Sequence, residues 1–191
     1  MLDDSAARWL LVLHTALGVS AVATGTHLVI WLRRYLRGAA GKRRAVVRFA
    51  WLFLALQCGA FVAGNVMYPT YKVEVRTAYL ESGTALAADR ATRDAEVARI
   101  AAREHAAPSA APATQDLVRR AARAARWFDV KEHWIALGIL ASAAVLLILA
   151  LWTPEEGRVL APIVTGLAVV ACGTVWLGAI IGVLTAAWRA V

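Results

Sequence analysis

Four long apolar stretches constrain the fold of this chain more than any other feature of its sequence. They cover residues 9–32, 45–68, 134–152 and 160–188. A helix rises about 1.5 Å per residue, so about 20 apolar residues cross the roughly 30 Å hydrocarbon core of a bilayer. Arg48 is the one charged residue inside these stretches. Because lipid offers the backbone no hydrogen-bond partners, we predict an all-α protein built as a four-helix membrane bundle.

Positive charge is concentrated in the short link between the first two stretches. The link and its flanks hold Arg33, Arg34, Arg37, Lys42, Arg43, Arg44 and Arg48. Short loops rich in Lys and Arg face the cytoplasm, where anionic lipid head groups are their partners. We therefore attribute the net charge of +8 to the membrane surface and expect no nucleic-acid binding. The N- and C-termini are then expected outside the cytoplasm, in a multi-pass protein of a bacterial inner membrane.

Composition limits the chain to one membrane domain over residues 1–191. The chain is 60% hydrophobic, and its length leaves no room for a second large domain. Cys58 and Cys172 each lie inside an apolar stretch, so we interpret them as small apolar residues rather than a disulfide or metal pair. No CxxC, HExxH or nucleotide-binding loop occurs in the sequence, and we lean towards a protein that is not an enzyme.

One sizeable polar segment, residues 69–132, separates the second and third stretches. Pro69 lacks an amide donor and is expected to end or kink the second span. Residues 71–77 alternate between apolar and charged side chains, which is typical of a strand. A lone strand would have no partner here, so a short interfacial helix or an extended segment fits the same residues.

The rest of this segment has helical character. Residues 84–107 are rich in Ala and carry opposite charges at helical spacing, as Asp89/Arg93, Arg90/Asp94 and Glu96/Arg99. The prolines within 108–112 should break this helix, and Thr114 can cap a second one that runs towards the third span. We predict a partly helical extramembrane loop, with partial disorder of residues 84–126 as the alternative.

His14 and His133 are the candidate ligands of a haem. His14 lies in the first span with Gly18 on its face, and a small residue there lets a flat macrocycle approach. His133 opens the third span on the same side of the membrane, and bundle cytochromes hold haem b with one histidine from each of two helices. In the alternative interpretation, His14 bonds to a neighbouring helix and His133 is interfacial. His27 lies at the opposite depth and is interpreted as a packing residue.

Three further polar residues are candidates for binding a cofactor. Gln57 lies in mid-membrane, where its amide must face protein; it either joins two helices or donates to a quinone carbonyl or a haem propionate. Arg76 and Lys131 should meet at the outer mouth of the bundle, together with aromatic and acidic side chains. They could neutralise haem propionates or bind a quinone head group, although ion pairing that docks the loop is the simpler explanation.

Two packing signals accompany these residues. Gly178 and Gly182 form a GxxxG pattern in the last span, which favours close helix packing within the bundle or between subunits. Several tryptophans near the ends of the spans are interpreted as anchors at the head-group level: Trp9, Trp31, Trp51, Trp134, Trp152 and Trp188.

The leading functional hypothesis is a b-type cytochrome-like electron-transfer subunit that holds a haem near the outer face, with quinone as a possible second ligand. The alternative is a cofactor-free structural or assembly subunit, whose outer loop binds other membrane or periplasmic subunits. A transporter is the third hypothesis, and the absence of charged residues in mid-membrane argues against ion transport.

Overall fold

The computed structural model describes residues 4–104 and 114–186, and it is almost entirely helical there. Five α-helices lie in these ranges: α1 (Asp4–Leu36), α2 (Arg43–Thr70), α3 (Gly83–Glu104), α4 (Thr114–Leu151) and α5 (Ala161–Ala186). A π-helix, Tyr71–Leu80, continues α2, and short 3-10 turns at Ala40–Lys42 and Pro154–Glu156 lie in the links before α2 and α5. No β-strand occurs in the described residues, so the all-α prediction is confirmed.

Four helical segments are long and apolar enough to cross a membrane: Ser5–Leu36, Arg43–Leu80, Val118–Leu151 and Ala161–Thr185. They match the four predicted stretches, and the last residues of the fourth stretch lie outside the described part of the chain. Helix α4 has 38 residues, which corresponds to about 57 Å at about 1.5 Å per residue. It is therefore longer than a bilayer core is thick, and its N-terminal part extends beyond the apolar stretch.

The four spanning helices pack as a ring. Helix α1 packs on α2 and α5, and α4 packs on the same two helices, so that α1 and α4 lie across the ring from each other. Successive spanning helices run in opposite directions. One end, the basic end, carries the α1–α2 and α4–α5 links; the other, the loop end, carries the π-helix, α3 and the N-terminal part of α4.

The ring encloses one hydrophobic core. Its largest fully buried apolar side chains are Leu28, Leu32, Tyr35, Val46, Phe53, Val145, Leu149 and Val164. Gly25 is required here, because a Cβ atom at this position would lie 2.6 Å from Cε2 of Phe53. Trp152 belongs to this core with only 8% exposure, so the prediction that it anchors the span at the head groups is wrong. Trp9, at 75% exposure, faces outward as an anchor would.

The segment after Pro69 differs from its strand-like pattern. Pro69 lies inside α2, and the chain continues without a break into the π-helix Tyr71–Leu80. A π-helix has wider turns, and such turns often occur inside α-helices at functional sites. Helical backbone satisfies its own hydrogen bonds, whereas a strand would need a partner, and none occurs among the described residues. From the apolar side of the alternation, Val75 contacts a small second core, whereas Val73 is exposed.

That second core holds the outer segment against α4. It consists of Leu80, Leu86, Ala121 and Ala125. Ser82 Oγ accepts from the amide of Ala85 at the start of α3, and Tyr79 donates to Asp89 at 2.7 Å. All three predicted ion pairs of α3 are present: Asp89–Arg93, Arg90–Asp94 and Glu96–Arg99. The prediction of a partly helical loop is confirmed, whereas the predicted break at 108–112 lies outside the described residues.

Candidate functional site

Three aromatic rings stack at the loop end, where α2 passes into the π-helix beside α4. The ring of Tyr71 lies 4.0 Å from that of Phe128, centroid to centroid, with 20° between the planes. Tyr68 stacks on the same Phe128 at 6.3 Å. The two tyrosines are three residues apart in continuous helix, so they share a face, and together the three side chains form an aromatic wall.

Lys131 points into the bundle beside this aromatic wall. Its Nζ lies 5.4 Å from the centre of the Phe128 ring. Its stem lies in the groove of α5, because a Cβ on Gly178 would be 4.0 Å from its Cγ and a Cβ on Gly182 would be 3.7 Å from its Nζ. Ile135, one turn further along α4, lies in the same groove, and its Cδ1 would be 2.8 Å from a Cβ on Gly178. The predicted GxxxG packing therefore operates within the bundle and shapes the surroundings of the lysine.

The ammonium of Lys131 has no ion-pair partner in the described part of the chain. Glu132 acts on it electrostatically but does not form an ion pair with it. An ionisable side chain inside a membrane bundle is costly, so it normally pairs with a group of the protein or faces a ligand. Among the charged residues of this region, Lys131 is therefore the one most expected to bind a ligand.

His14 lies on α1, across the ring of four helices from α4, which carries Lys131. Its Nδ1 donates to the carbonyl of Ala60 in α2 at 2.8 Å, which leaves Nε2 as the acceptor nitrogen of a neutral ring. The ring packs against Gly64, where a Cβ would lie 3.2 Å from its Cε1. Lys131 is close enough to act on the imidazole electrostatically. One turn along α1, a Cβ on Gly18 would meet no atom within 4 Å, so the space predicted there is present.

Within residues 4–104 and 114–186, Nε2 of His14 has no hydrogen-bond partner. The site thus combines an acceptor nitrogen with a cationic donor that acts on the same imidazole electrostatically, and the aromatic wall lies beside the lysine. We call these four residues the His14–Lys131 site: His14, Tyr71, Phe128 and Lys131.

His133 is not part of this site. Its side chain is exposed, and its Nδ1 donates to the carbonyl of Asp129 in its own helix at 2.8 Å. Two residues along a helix rotate a side chain by about 200°, so His133 points away from the direction that Lys131 takes. The structure therefore does not bring His14 and His133 together as the two axial ligands of one haem. The described residues also contain no cluster of three or more His, Cys, Asp and Glu side chains that could hold a metal ion.

Arg76 ties the π-helix to α4. It donates to Glu81 at 2.8 Å and to Asp129 at 2.7 Å. The predicted meeting of these segments at one mouth of the bundle is therefore present, and it takes the simpler form of loop docking by ion pairs. Because two carboxylates already bind Arg76, its guanidinium is less available to a propionate or a quinone than the ammonium of Lys131 is.

Gln57 joins two helices in the middle of the bundle. It is 2% exposed, and its Oε1 accepts from Ser142 of α4 at 2.9 Å. Its Nε2 is buried with no partner among the described residues. Ser142 is 11 positions from Lys131, which is about 16 Å along α4. Gln57 is therefore too deep to share a ligand head group with Lys131, and it acts as the helix-joining amide of the simpler prediction.

The remaining candidates are structural. His27 is exposed; its Nδ1 donates to the carbonyl of Ala23 at 2.9 Å, and its ring stacks on Phe49 at 6.3 Å. Both cysteines are free thiols, and that of Cys172 lies 3.9 Å from the hydroxyl of Thr26.

Sequence reasoning missed Tyr71 as a site residue. Its hydroxyl is buried and has no hydrogen-bond partner in the described ranges. The spacing of Tyr68 and Tyr71 was a usable signal, because residues three apart share a helical face. The alternating pattern of residues 71–77 hid that signal by suggesting extended backbone.

Searches of protein-family models, curated proteins and solved structures find no match to this chain. The fold is that of a helical bundle with four segments long and apolar enough to span a membrane among the described residues.

Proposed function

We propose that the chain binds the head group of a quinone at the His14–Lys131 site, as a quinone-linked electron-transfer subunit of a bacterial inner membrane. The observation that carries the proposal is the inward-pointing ammonium of Lys131, which lies over the Phe128 ring, has no ion pair in the described residues and acts electrostatically on the imidazole of His14. The loop end would then face the outside of the cytoplasm, as the basic residues of the α1–α2 link favour.

A quinone matches the polarity of these groups. Its carbonyl oxygens accept hydrogen bonds, which an ammonium donates, and its reduced form carries hydroxyl groups that can donate to Nε2 of His14. A fatty-acid carboxylate would satisfy Lys131 but has no proton for His14. The flat head group can stack on the rings of Tyr71 and Phe128, as aromatic pairs do.

The position of the site also suits a lipid-soluble ligand. Tyr71 and Phe128 are only partly buried; Tyr71 lies three residues after the second apolar stretch and Phe128 six residues before the third. The open space at Gly18 lies one turn from His14 towards the bilayer centre. An isoprenoid tail can therefore remain in the hydrocarbon core while the head group reaches the polar atoms.

Binding of a short-tailed quinone and its quinol to the full chain in detergent tests the proposal. Lys131→Met should weaken binding at least about tenfold, the value of one charge-assisted hydrogen bond of about 1.5 kcal/mol. Lys72→Met is the matched control: this lysine is exposed at the same end, and its loss should leave affinity unchanged. Equal affinity for wild type and Lys131→Met, with helix content retained, would refute the proposal.

A haem b at this site would have to use His14 without His133. An absorbance spectrum of the purified protein, oxidised and then reduced with dithionite, distinguishes the two ligands. A Soret band that disappears in His14→Ala but persists in His133→Ala would assign the site to haem and overturn the quinone proposal. No Soret band, together with quinone binding, supports the proposal.

A cofactor-free assembly subunit is the second candidate function. It is favoured by α3, where Val97 and Ile100 lie three residues apart on one face and are 47% and 44% exposed. An apolar pair on an otherwise charged helix is suited to contact another protein subunit. The double variant Val97→Asp/Ile100→Asp should then release a co-purifying protein, whereas Ala91→Asp on another face of α3 should retain it.

A further inference from the structure

The basic end of the bundle carries an exposed cluster of cations. Helix α1 ends at Leu36, the chain turns at Gly38 with φ of 112°, and α2 begins at Arg43 after one 3-10 turn. This short link brings together the exposed side chains of Arg33, Arg34, Arg37, Lys42, Arg43, Arg44 and Arg48. A φ of this value suits glycine, so Gly38 allows the turn to be tight.

These cations lack acidic partners. None of the ion pairs among the described residues involves any of them. Arg43 donates to the carbonyl of Leu149 at 3.0 Å, which fixes the link to the end of α4. The others face solvent or the membrane surface, where like charges repel unless an anion lies between them.

Two of the cations lie over the indole ring of Trp31. The Nζ of Lys42 lies 5.0 Å from the centre of its indole ring, and the guanidinium carbon of Arg34 lies 5.5 Å from it. Indole rings prefer the head-group level of a bilayer. Beside the cluster, lipid-facing side chains continue along the helices: Ile30 is 47% exposed and Trp51 is 59% exposed. A phosphate bound at the cations would therefore have apolar surface next to it.

We propose that the basic end binds the head group of an anionic phospholipid at Trp31, Arg34 and Lys42. The two cations donate to the phosphodiester oxygens, and the acyl chains lie along the exposed apolar faces of α1 and α2. The apolar side chains beside the cations favour a lipid, because acyl chains can contact them. A nucleic acid would bring phosphates to the cations but no apolar group to these side chains. This site is separate from the His14–Lys131 site and does not depend on the ligand there.

Lipid retention by the purified full chain tests the proposal. The protein is equilibrated in mixed micelles that contain phosphatidylglycerol or phosphatidylcholine, and bound lipid is counted by native mass spectrometry. Wild type should retain phosphatidylglycerol over phosphatidylcholine, and Arg34→Gln/Lys42→Gln should reduce this retention at least about fivefold. Arg119→Gln/Arg120→Gln removes two exposed charges near the loop end and should behave as wild type.

Four outcomes would decide against the proposal. Equal retention of both lipids would show that charge is not recognised. Displacement of the lipid by millimolar inorganic phosphate would show a site for free phosphate rather than for a phospholipid. Tight binding of a DNA duplex that removes the lipid and is lost in Arg34→Gln/Lys42→Gln would assign the cluster to nucleic acid. Unchanged retention in the same double variant, with normal thermal unfolding, would place the lipid elsewhere.

Discussion

The two ends of the bundle both combine cations with aromatic rings, but they use them differently. At the loop end, Arg76 is neutralised by Glu81 and Asp129, and Lys131 points inward over Phe128. At the basic end, the cations are exposed and form no ion pairs among the described residues, and two of them, Arg34 and Lys42, lie over the ring of Trp31. Burial and the nearest carboxylates therefore decide the role of a cation in this protein, whereas its residue type does not.

The physical reason is the cost of removing a charge from water. An exposed cation keeps its hydration and gains little from any one partner, so it contributes to binding through the field of the whole cluster. An inward-pointing cation has lost part of its hydration and gains strongly from a single well-placed acceptor. The loop end should therefore be sensitive to single substitutions and the basic end to combined ones.

The largest effect is expected at the groove that holds Lys131. Gly178→Val places a side chain where Ile135 and the lysine stem already lie, and overpacking of this kind costs about 1–3 kcal/mol of unfolding free energy. Gly173→Val on the same helix is the control, because a Cβ there meets no atom within 4 Å. Thermal unfolding in detergent measures both. A similar loss in the two variants would mean that the groove does not fit the lysine closely.

The next largest effect on the unfolding free energy is expected in the middle of the bundle, away from both ends. Ser142→Ala removes the donor to Gln57 and leaves a buried amide with neither of its polar groups bonded. Hydrogen bonds between membrane helices are worth about 1 kcal/mol, so the unfolding free energy should fall by about that much. Ser20→Ala, at an exposed position of α1, should have no such effect. Ligand affinity at the loop end should stay unchanged, because Gln57 lies too deep to contribute.

A smaller effect is expected from the ion pair between the π-helix and α4. Asp129→Asn weakens the contact with Arg76, which is 22% exposed at its side chain, while Asp129 is 40% exposed. Pairs this open to solvent contribute less than about 1 kcal/mol, and salt screens them. The unfolding temperature should fall slightly at low salt and match wild type at about 1 M salt. A loss that persists at high salt would show that the contact acts through packing.

The smallest effect on stability is expected at the basic end. Lys42→Gln removes one exposed cation without an ion pair, so the unfolding free energy should stay within about 0.5 kcal/mol of wild type. Retention of phosphatidylglycerol should fall less than in the double variant with Arg34. If Lys42→Gln instead destabilised the protein as much as Gly178→Val, the contrast between the two ends would be wrong.

Features that depend on neighbours along the chain were predictable. The ion pairs of α3, such as Asp89–Arg93, follow from helical spacing alone. Arg76 and Asp129 could be expected to meet because the second span ends and the third begins on the same side. The outward direction of His133 was not predictable, since the depth of a residue can be read from its position but its direction around the helix depends on which helices pack beside it.

Four membrane-spanning helices, a helical outer segment and a basic link follow from the amino-acid sequence, because hydrophobic length, helical periodicity and local charge require no knowledge of neighbouring helices. The packing of the helices was needed to find that Lys131 points inward while His133 points outward, that His14 bonds to Ala60, and that Trp152 is buried. Those outcomes follow from the order of helices around the ring, which places α2 and α5 between α1 and α4. Apolar composition requires that helices pack, whereas the shapes of side chains and glycine grooves select the faces that meet.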